Sequence, residues 1–358
     1  MTARQRRRLL ALLAGLSIVL VVLSVSRGTP TVAQQPTARP TSTPRSAVPD
    51  PVPRIAIAQD ADGRDAGVNS QARNGARRVA DAFEAEFVEV TADPDDTDAE
   101  LEQRLTALAE ARSGLVFVIG SAYAGPLATV APKYPGTWFA IVDDGSVNAP
   151  NVVGILFNEE QGSFLVGAAA ALTSKTGTVA FIGAAEAPRR QRYEAGFTAG
   201  ARAADPDVTV QVRYLPASTD DDADGDVVQA RDAALRLYDA GADVIYAAAG
   251  DASDGVFQAA HDRGLWAIGA DLDRYQTADP GVRDAILTSM LKRIDVATYA
   301  IGMEVTHHVG KDGNNLFGVG RDGVAYSPSG GFVDAIRPQL DAFAAGIASG
   351  EILVPIKP

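Results

Sequence analysis

Ile268-Gly269-Ala270-Asp271-Leu272-Asp273-Arg274-Tyr275, a short acidic loop, and then Ile286-Leu287-Thr288-Ser289-Met290-Leu291-Lys292-Arg293-Ile294-Asp295 form the most informative stretch of the chain. Residues 266–270 are an apolar run of strand length, and Asp271 stands at its carboxyl end. Residues 286–290 are a second such run, delivering Lys292 at its own end. In an open α/β sheet, ligands bind at the carboxyl ends of the strands. A carboxylate there accepts two hydrogen bonds from a vicinal diol, and a nearby ammonium donates to a ring or hydroxyl oxygen. That is equipment for holding a sugar, and it requires no nucleophile or general base. The plainer alternative is that Asp271 and Lys292 pair with each other, which when exposed contributes under ~1 kcal/mol.

The same alternation extends through the flanking sequence. Strands are predicted over 55–58, 87–90, 115–119, 138–142 and 153–157, with helices over 69–84, 99–111 and 122–131 between them. Further strands are predicted over 178–182, 208–212 and 244–248, with helices over 191–204, 227–240 and 255–263. Final helices are predicted over 293–309 and 332–349. Unbroken apolar runs separated by helical periods read as parallel strands covered on both faces. Two successive sets imply an α/β fold of two Rossmann-like lobes with parallel sheets and a ligand cleft between them. The first lobe is expected over 54–157 with a return segment near 271–310, and the second over 158–270 with part of the C-terminus.

Composition narrows the function classes. The chain has 358 residues, 46% apolar and 22% charged, which is globular in character. Net charge is −13, and residues 1–45 are basic, so the remainder is more acidic still. Nucleic-acid binding needs clustered Lys and Arg to meet phosphates, and an acidic body argues against it. No cysteine is present, which removes disulfides, thiolate chemistry and Cys-based zinc sites.

Residues 1–28 form a targeting segment. Arg4, Arg6, Arg7 and Arg8 precede an uncharged apolar run over 9–25. This reads as a retained membrane anchor, or as a signal cleaved near Thr31-Val32-Ala33. Either way the arginines stay cytoplasmic and the body lies on the extracytoplasmic face of the cell membrane. Residues 29–53, rich in Pro, Thr and Ser, read as a linker reaching at most ~75 Å in polyproline II form.

Blocks spread along the body carry a resemblance. They are Asp65-Ala66-Gly67-Val68-Asn69 with Gly75, and Asn158-Glu159-Glu160-Gln161-Gly162-Ser163-Phe164-Leu165 with Gly167. Next come Glu194-Ala195-Gly196-Phe197 with Gly200, and Leu237-Tyr238 with Gly241, Asp243-Val244-Ile245 and Ala249-Gly250. The series ends with Ile268-Gly269 to Asp273 and Thr288-Ser289 to Asp295. Occurring in this order from Arg54 to Pro358, they resemble the basic membrane protein family of substrate-binding proteins, similar to PnrA-like purine nucleoside receptors. The resemblance implies a type I periplasmic-binding-protein fold, a nucleoside ligand in the interlobe cleft and an ABC permease as partner. No enzyme activity, cofactor or metal is implied.

Carried over by position, the resemblance implies that Asp271 and Lys292 hold the ribose hydroxyls, and that Asp60, Asn69 and Asp143 face the nucleoside. Asp60 and Asp143 both follow apolar strands, where side chains point into a cleft. Asn69 opens the predicted helix and reads equally well as its N-cap. The family usually places Phe where this chain has Val68, and Trp or Tyr where it has Arg73. A stacking face contributes ~1–3 kcal/mol per base, so Val68 bears on base preference. Tyr123 and Tyr193 could supply aromatic surface instead, or could be ordinary lobe packing.

Other motifs read as structural. The Glu159–Phe164 block puts acids at a helix start and glycines where helices pack. Asp220, Asp222, Asp224, Gly225 and Asp226 suggest the opening of a calcium loop, but Arg231 stands where a bidentate acid should close it. They read as a solvated helix start. His307 and His308 are adjacent and cannot share one metal position on a helix, and His261 is alone. The rivals to an importer's binding protein are a membrane-anchored sensor of the same fold, a nucleoside-processing enzyme, and a binder of some other sugar.

Overall fold

A computed structural model describes residues 54–60, 66–216, 223–310 and 312–358. The targeting segment, the linker, Asp65, and Asp220 and Asp222 of the acidic loop lie outside the described residues. Among the described residues no helix is long and apolar enough to cross a membrane.

The first lobe runs β1 (Arg54–Gln59), α1 (Ala66–Ala82), β2 (Glu86–Thr91), α2 (Asp98–Glu110), β3 (Leu115–Ile119), α3 (Ala124–Val130), β4 (Trp138–Val142) and β5 (Val152–Phe157). The second runs α4 (Glu159–Thr173), β6 (Thr178–Gly183), α5 (Pro188–Ala204), β7 (Thr209–Tyr214), α6 (Ala223–Asp239), β8 (Val244–Ala248), α7 (Ser253–Arg263), β9 (Trp266–Gly269), α8 (Arg274–Thr277) and β10 (Ile286–Lys292). The chain ends with α9 (Ile294–Thr306), β11 (Gly313–Phe317), β12 (Val324–Tyr326) and α10 (Arg337–Ser349).

The two six-stranded sheets are ordered β11-β5-β4-β3-β1-β2 and β12-β10-β9-β8-β6-β7. All pairings are parallel except β10 with β12. Each lobe is therefore one doubly wound unit, with a switch point between its first and third strands. Burial on both faces explains the unbroken apolar runs. Ile55 and Ile57 face α1 and α9, while Ala56 and Ala58 face α2 and α3. In β6, Ala180 and Ile182 meet α6 and α7, while Val179 and Phe181 meet α4 and α5.

Three segments cross between lobes. Asn158 leads from β5 into α4, Arg293 from β10 into α9, and residues 318–323 from β11 into β12. Backbone hydrogen bonds tie them together: Asn158 N–H to Phe317 O at 3.1 Å and Arg293 N–H to Gly323 O at 2.8 Å. The expected return segment near 271–310 divides at Arg293. β10 stays in the second sheet, and α9 packs into the first lobe's core through Ile294, Ala297, Ile301 and Val305. β11 and β12 carry no strand signal in the sequence. β11 reads Gly-Asn-Asn-Leu-Phe at a sheet edge, and β12 has 3 residues.

Candidate functional site

Both sheets end in an aspartate at the same place. Asp143 follows β4 with φ +64°, and Asp271 follows β9 with φ +65°. A non-glycine residue in this left-handed region costs ~1–3 kcal/mol, and such residues concentrate at functional sites. Asp tolerates it better than most because its short side chain bonds locally. The bend turns each carboxylate off its strand end. Asp143 comes from the first lobe and Asp271 from the second.

Asp143 Oδ2 accepts from Lys292 Nζ at 2.6 Å and pairs with Arg189 Nη2 at 2.8 Å. Arg189 Nε donates to Glu159 Oε1 at 3.1 Å, and Lys292 Nζ lies 3.8 Å from that oxygen. Two acids and two bases thus alternate in a ring, and Arg192 Nε lies 3.6 Å from the other Glu159 oxygen, Oε2. Three of its members sit on the second lobe: Lys292 ends β10, Arg189 is in the first turn of α5, and Glu159 opens α4. Glycines 196 and 200 let α5 rest directly on the α4 backbone, which brings the first turns of these helices together. Asp143 alone belongs to the first lobe, so its two ion pairs bridge the cleft. Lys292 is 2% exposed and its ammonium also lies 5.0 Å from the Phe157 ring centroid. Burial alone would raise the Asp143 carboxyl pKa, but Lys292 and Arg189 outweigh it and hold the pKa below the usual carboxylate range.

Asp271 and Lys292 do not form the mutual ion pair that the sequence left open. Lys292 N–H donates to the Asp271 carbonyl at 3.0 Å, whereas the Asp271 side chain accepts from Tyr193 Oη–H at 2.8 Å. The amine goes to Asp143 because two charged strand ends meet across the cleft. Tyr193 is buried, and burial followed by the Asp271 charge raises its phenol well above the ordinary value.

The first lobe supplies a second group at its switch point. Asp60 directly follows β1, with its N–H on Ile119 O at 3.1 Å. Its carboxylate lies against Gly120, where a Cβ would stand 2.3 Å from Oδ2 and φ is +111°. Tyr123 closes the 3-10 turn after β3 and is 0% exposed. Its hydroxyl has no hydrogen-bond partner, and burial pushes its pKa up to about 12.

Asn69 is not a helix cap. α1 begins at Ala66, so Asn69 lies inside the first turn, where its Nδ2 donates to Asp60 O at 3.5 Å. Asn69 Oδ1 is buried without a partner, as is Gln59 Oε1, whose Nε2 donates to Thr91 Oγ1 at 3.0 Å. Val68 is part-buried and packs against the first lobe's core, so its position presents no aromatic face.

Arg189, Glu159 and Gln59 were not among the residues expected to face a ligand. Gln59 and Glu159 were legible in principle, because Gln59 ends β1 and Glu159 stands two residues after β5. Among the described residues no cluster of His, Asp and Glu could hold a metal ion.

An acid at each fourth strand, a lysine ending a fifth, and buried polar atoms at one switch point make a cleft suited to a polar solute. Residues 52–357 match the family described as ABC transporter substrate-binding protein, PnrA-like. The chain belongs to this family. It is accordingly the solute-binding component of an ABC transporter, a binding protein and not an enzyme, whose partner is a membrane permease.

Among curated relatives, the CD4+ T-cell-stimulating antigen of Listeria monocytogenes is 32% identical over 276 residues, 73% of this chain and 76% of that protein. The ABC transporter nucleoside-binding protein BmpA of Lactococcus lactis is 30% identical over 265 residues, 68% of this chain and 71% of that protein. Among solved structures, an ABC transporter solute-binding protein from Aeropyrum pernix is similar with a TM-score of 0.64 and 25% identity, covering 84% of this chain and 93% of that one.

Proposed function

We propose that this binding protein captures a nucleoside, with purine nucleosides as first candidates, in the cleft between its lobes. The body works outside the cytoplasm, tethered through the N-terminal segment, and hands its solute to the permease. The observation that carries the reading is the division of labour at the strand ends. Asp271 and Lys292 are joined by one backbone hydrogen bond, and their side chains carry an acceptor and a donor suited to adjacent ribose hydroxyls. At the other lobe, Asn69 Oδ1, Gln59 Oε1 and the Tyr123 hydroxyl are buried without partners. Each such atom costs ~1–3 kcal/mol until it is paired. A purine ring offers N–H and exocyclic amine donors to the two acceptors, and ring nitrogens to the phenol. The Lactococcus relative's description as nucleoside-binding supports the same solute class.

Binding is conformational capture without chemistry. The solute favours the closed arrangement only by as much as it binds that arrangement better than the open one. The test is a thermal-shift screen of the purified protein against nucleosides, free bases and pentoses. A solute at a hundred times its Kd stabilises by ~2.7 kcal/mol, a readily visible shift. Inosine or adenosine is expected to shift the melt, with ribose and free bases giving less. A response to pentoses alone would replace the nucleoside by a sugar, and release of free base from inosine would overturn the reading.

A further inference from the structure

We propose that Leu272 and Gly67 form an interlobe seat, a pair of positioning residues that sets how tightly the closed cleft holds its solute. Leu272 follows Asp271 directly and belongs to the second lobe. Gly67 belongs to the first lobe, in the first turn of α1, two residues before Asn69. The lobes meet here with the Leu272 side chain occupying the place that a Cβ at position 67 would take. A Cβ on Gly67 would stand 2.3 Å from Leu272 Cδ1, 2.8 Å from Cδ2 and 3.1 Å from Cγ. The leucine's branched end therefore rests on bare helix backbone. Glycine within a helix is less favourable than alanine, and here the missing side chain leaves room for the leucine tip.

The seat lies between groups already assigned to the site. On one side it is bonded in sequence to Asp271, and on the other it precedes Asn69, whose amide reaches the Asp60 carbonyl. It is the apolar counterpart of the Asp143 ion pairs, which also bridge the lobes. Hydrophobic contact is non-directional, so the seat favours closure for any solute and selects among none. Because apparent affinity scales with the population of the binding-competent state, weakening the seat should weaken every solute by the same factor. A residue touching the solute would instead change its preferences.

The seat rests on the nucleoside reading only for its probe, inosine, and one arm of the test needs no solute. The chain has no cysteine, so a Gly67→Cys, Leu272→Cys double variant of the full-length protein reports the contact directly. The smaller cysteine at 272 vacates the space that the new side chain at 67 would occupy. A short bis-maleimide, to which each thiol adds across a C=C bond to form a thioether, is expected to join the pair within one molecule, seen as a shift in gel mobility. Protein linked before inosine is added should lose the inosine thermal shift, and protein linked afterwards should keep it.

Two single variants read the affinity. Gly67→Val fills the socket, and Leu272→Ala empties it while leaving α1 untouched. Each should melt near the parent without solute yet bind inosine and adenosine about tenfold more weakly, by a common factor. Gly67→Ala should lose less, because the leucine tip can rotate away from a single methyl. Absence of the crosslink, unchanged inosine binding in both Gly67→Val and Leu272→Ala, or unequal factors for the two nucleosides would each overturn the seat. If the parent itself ignores all nucleosides, the nucleoside reading fails, and the crosslink still decides whether the seat exists.

Discussion

The two lobes share one strand order and end their fourth strands in the same left-handed aspartate, yet they present different surfaces to the cleft. In the second lobe the groups at the ends of β9 and β10 are already partnered, although Asp273 Oδ1 and Arg274 Nε beside them are buried without partners. Tyr193 is bonded to Asp271, and Lys292 and Arg189 are held by Asp143 and Glu159. In the first lobe, Gln59 Oε1, Asn69 Oδ1 and the Tyr123 hydroxyl are buried without partners. One lobe is a charged frame fixed in advance. The other keeps unmet hydrogen-bonding capacity next to its switch point, which the proposed solute would use. Repetition of a fold thus need not repeat a site, because the strand ends are free of the packing constraints that fix the strands.

The largest effect should follow from removing the frame's acceptor. Asp271→Ala is expected to abolish the inosine thermal shift, since two charge-assisted hydrogen bonds at ~1.5 kcal/mol each amount to about a hundredfold in affinity. Asp271→Asn keeps the preference for φ +65° and isolates the chemistry from backbone strain. It should retain measurable but weaker binding by calorimetry. Undiminished binding by Asp271→Ala would show that the second lobe's frame does not face the solute.

Next in size is Lys292→Met. The ammonium is 2% exposed and is shared by two acids, so its loss leaves Asp143 with Arg189 alone and Glu159 with Arg189 and the more distant Arg192. Breaking a buried pair in this way destabilises by about 3 kcal/mol, measurable as a lower urea midpoint. Arg189→Met should cost less, because the arginine side chain is 48% exposed.

Asp143 makes the bridge between lobes sensitive to acid. Its folded pKa is held below the usual carboxylate range, by Lys292 and Arg189 working against burial. The unfolded chain therefore takes up a proton first as pH falls. The stability that Asp143 contributes is fully present above its unfolded pKa and is lost as pH drops through the folded value. Urea midpoints measured from neutral pH downward should fall more steeply for the parent than for Asp143→Asn. Parallel curves would mean that the bridge contributes nothing to stability.

How much of this was legible in the sequence follows from where the constraint lies. Leu-Val-Phe-Val-Ile at β3 and Trp-Phe-Ala-Ile-Val at β4 are buried at every position, and that double-sided burial is written as an unbroken apolar run. Asp60, Asp143 and Asp271 could be placed because each carboxylate ends such a run. β11 could not be read, since an edge strand of glycine and asparagines is held by its neighbour β5 rather than by its own side chains. The partner of Lys292 was equally hidden, because Asp143 lies 149 residues away and only the meeting of two lobes pairs them. The cap reading of Asn69, left open in the sequence, falls because the helix already runs from Ala66, three residues earlier.

The smallest effects give the sharpest comparison, since one substitution made in each lobe should act with opposite sign. Tyr193→Phe removes a hydroxyl that donates to Asp271 at 2.8 Å, leaving a part-buried carboxylate oxygen short of a donor. It should lower the stability of the solute-free protein by about 1 kcal/mol. Tyr123→Phe removes a hydroxyl that is buried and has no partner, so the solute-free protein should be as stable as the parent or slightly more so. Affinity should reverse the order. Without its phenol the first lobe loses a hydrogen bond available only to the solute, and inosine should bind about fivefold more weakly at ~1 kcal/mol for one neutral bond. Melting temperatures with and without inosine for the two variants measure both quantities in one experiment. Stability losses of equal size in both would mean that the Tyr123 hydroxyl is already satisfied, and the contrast between the two tyrosines would fall with it.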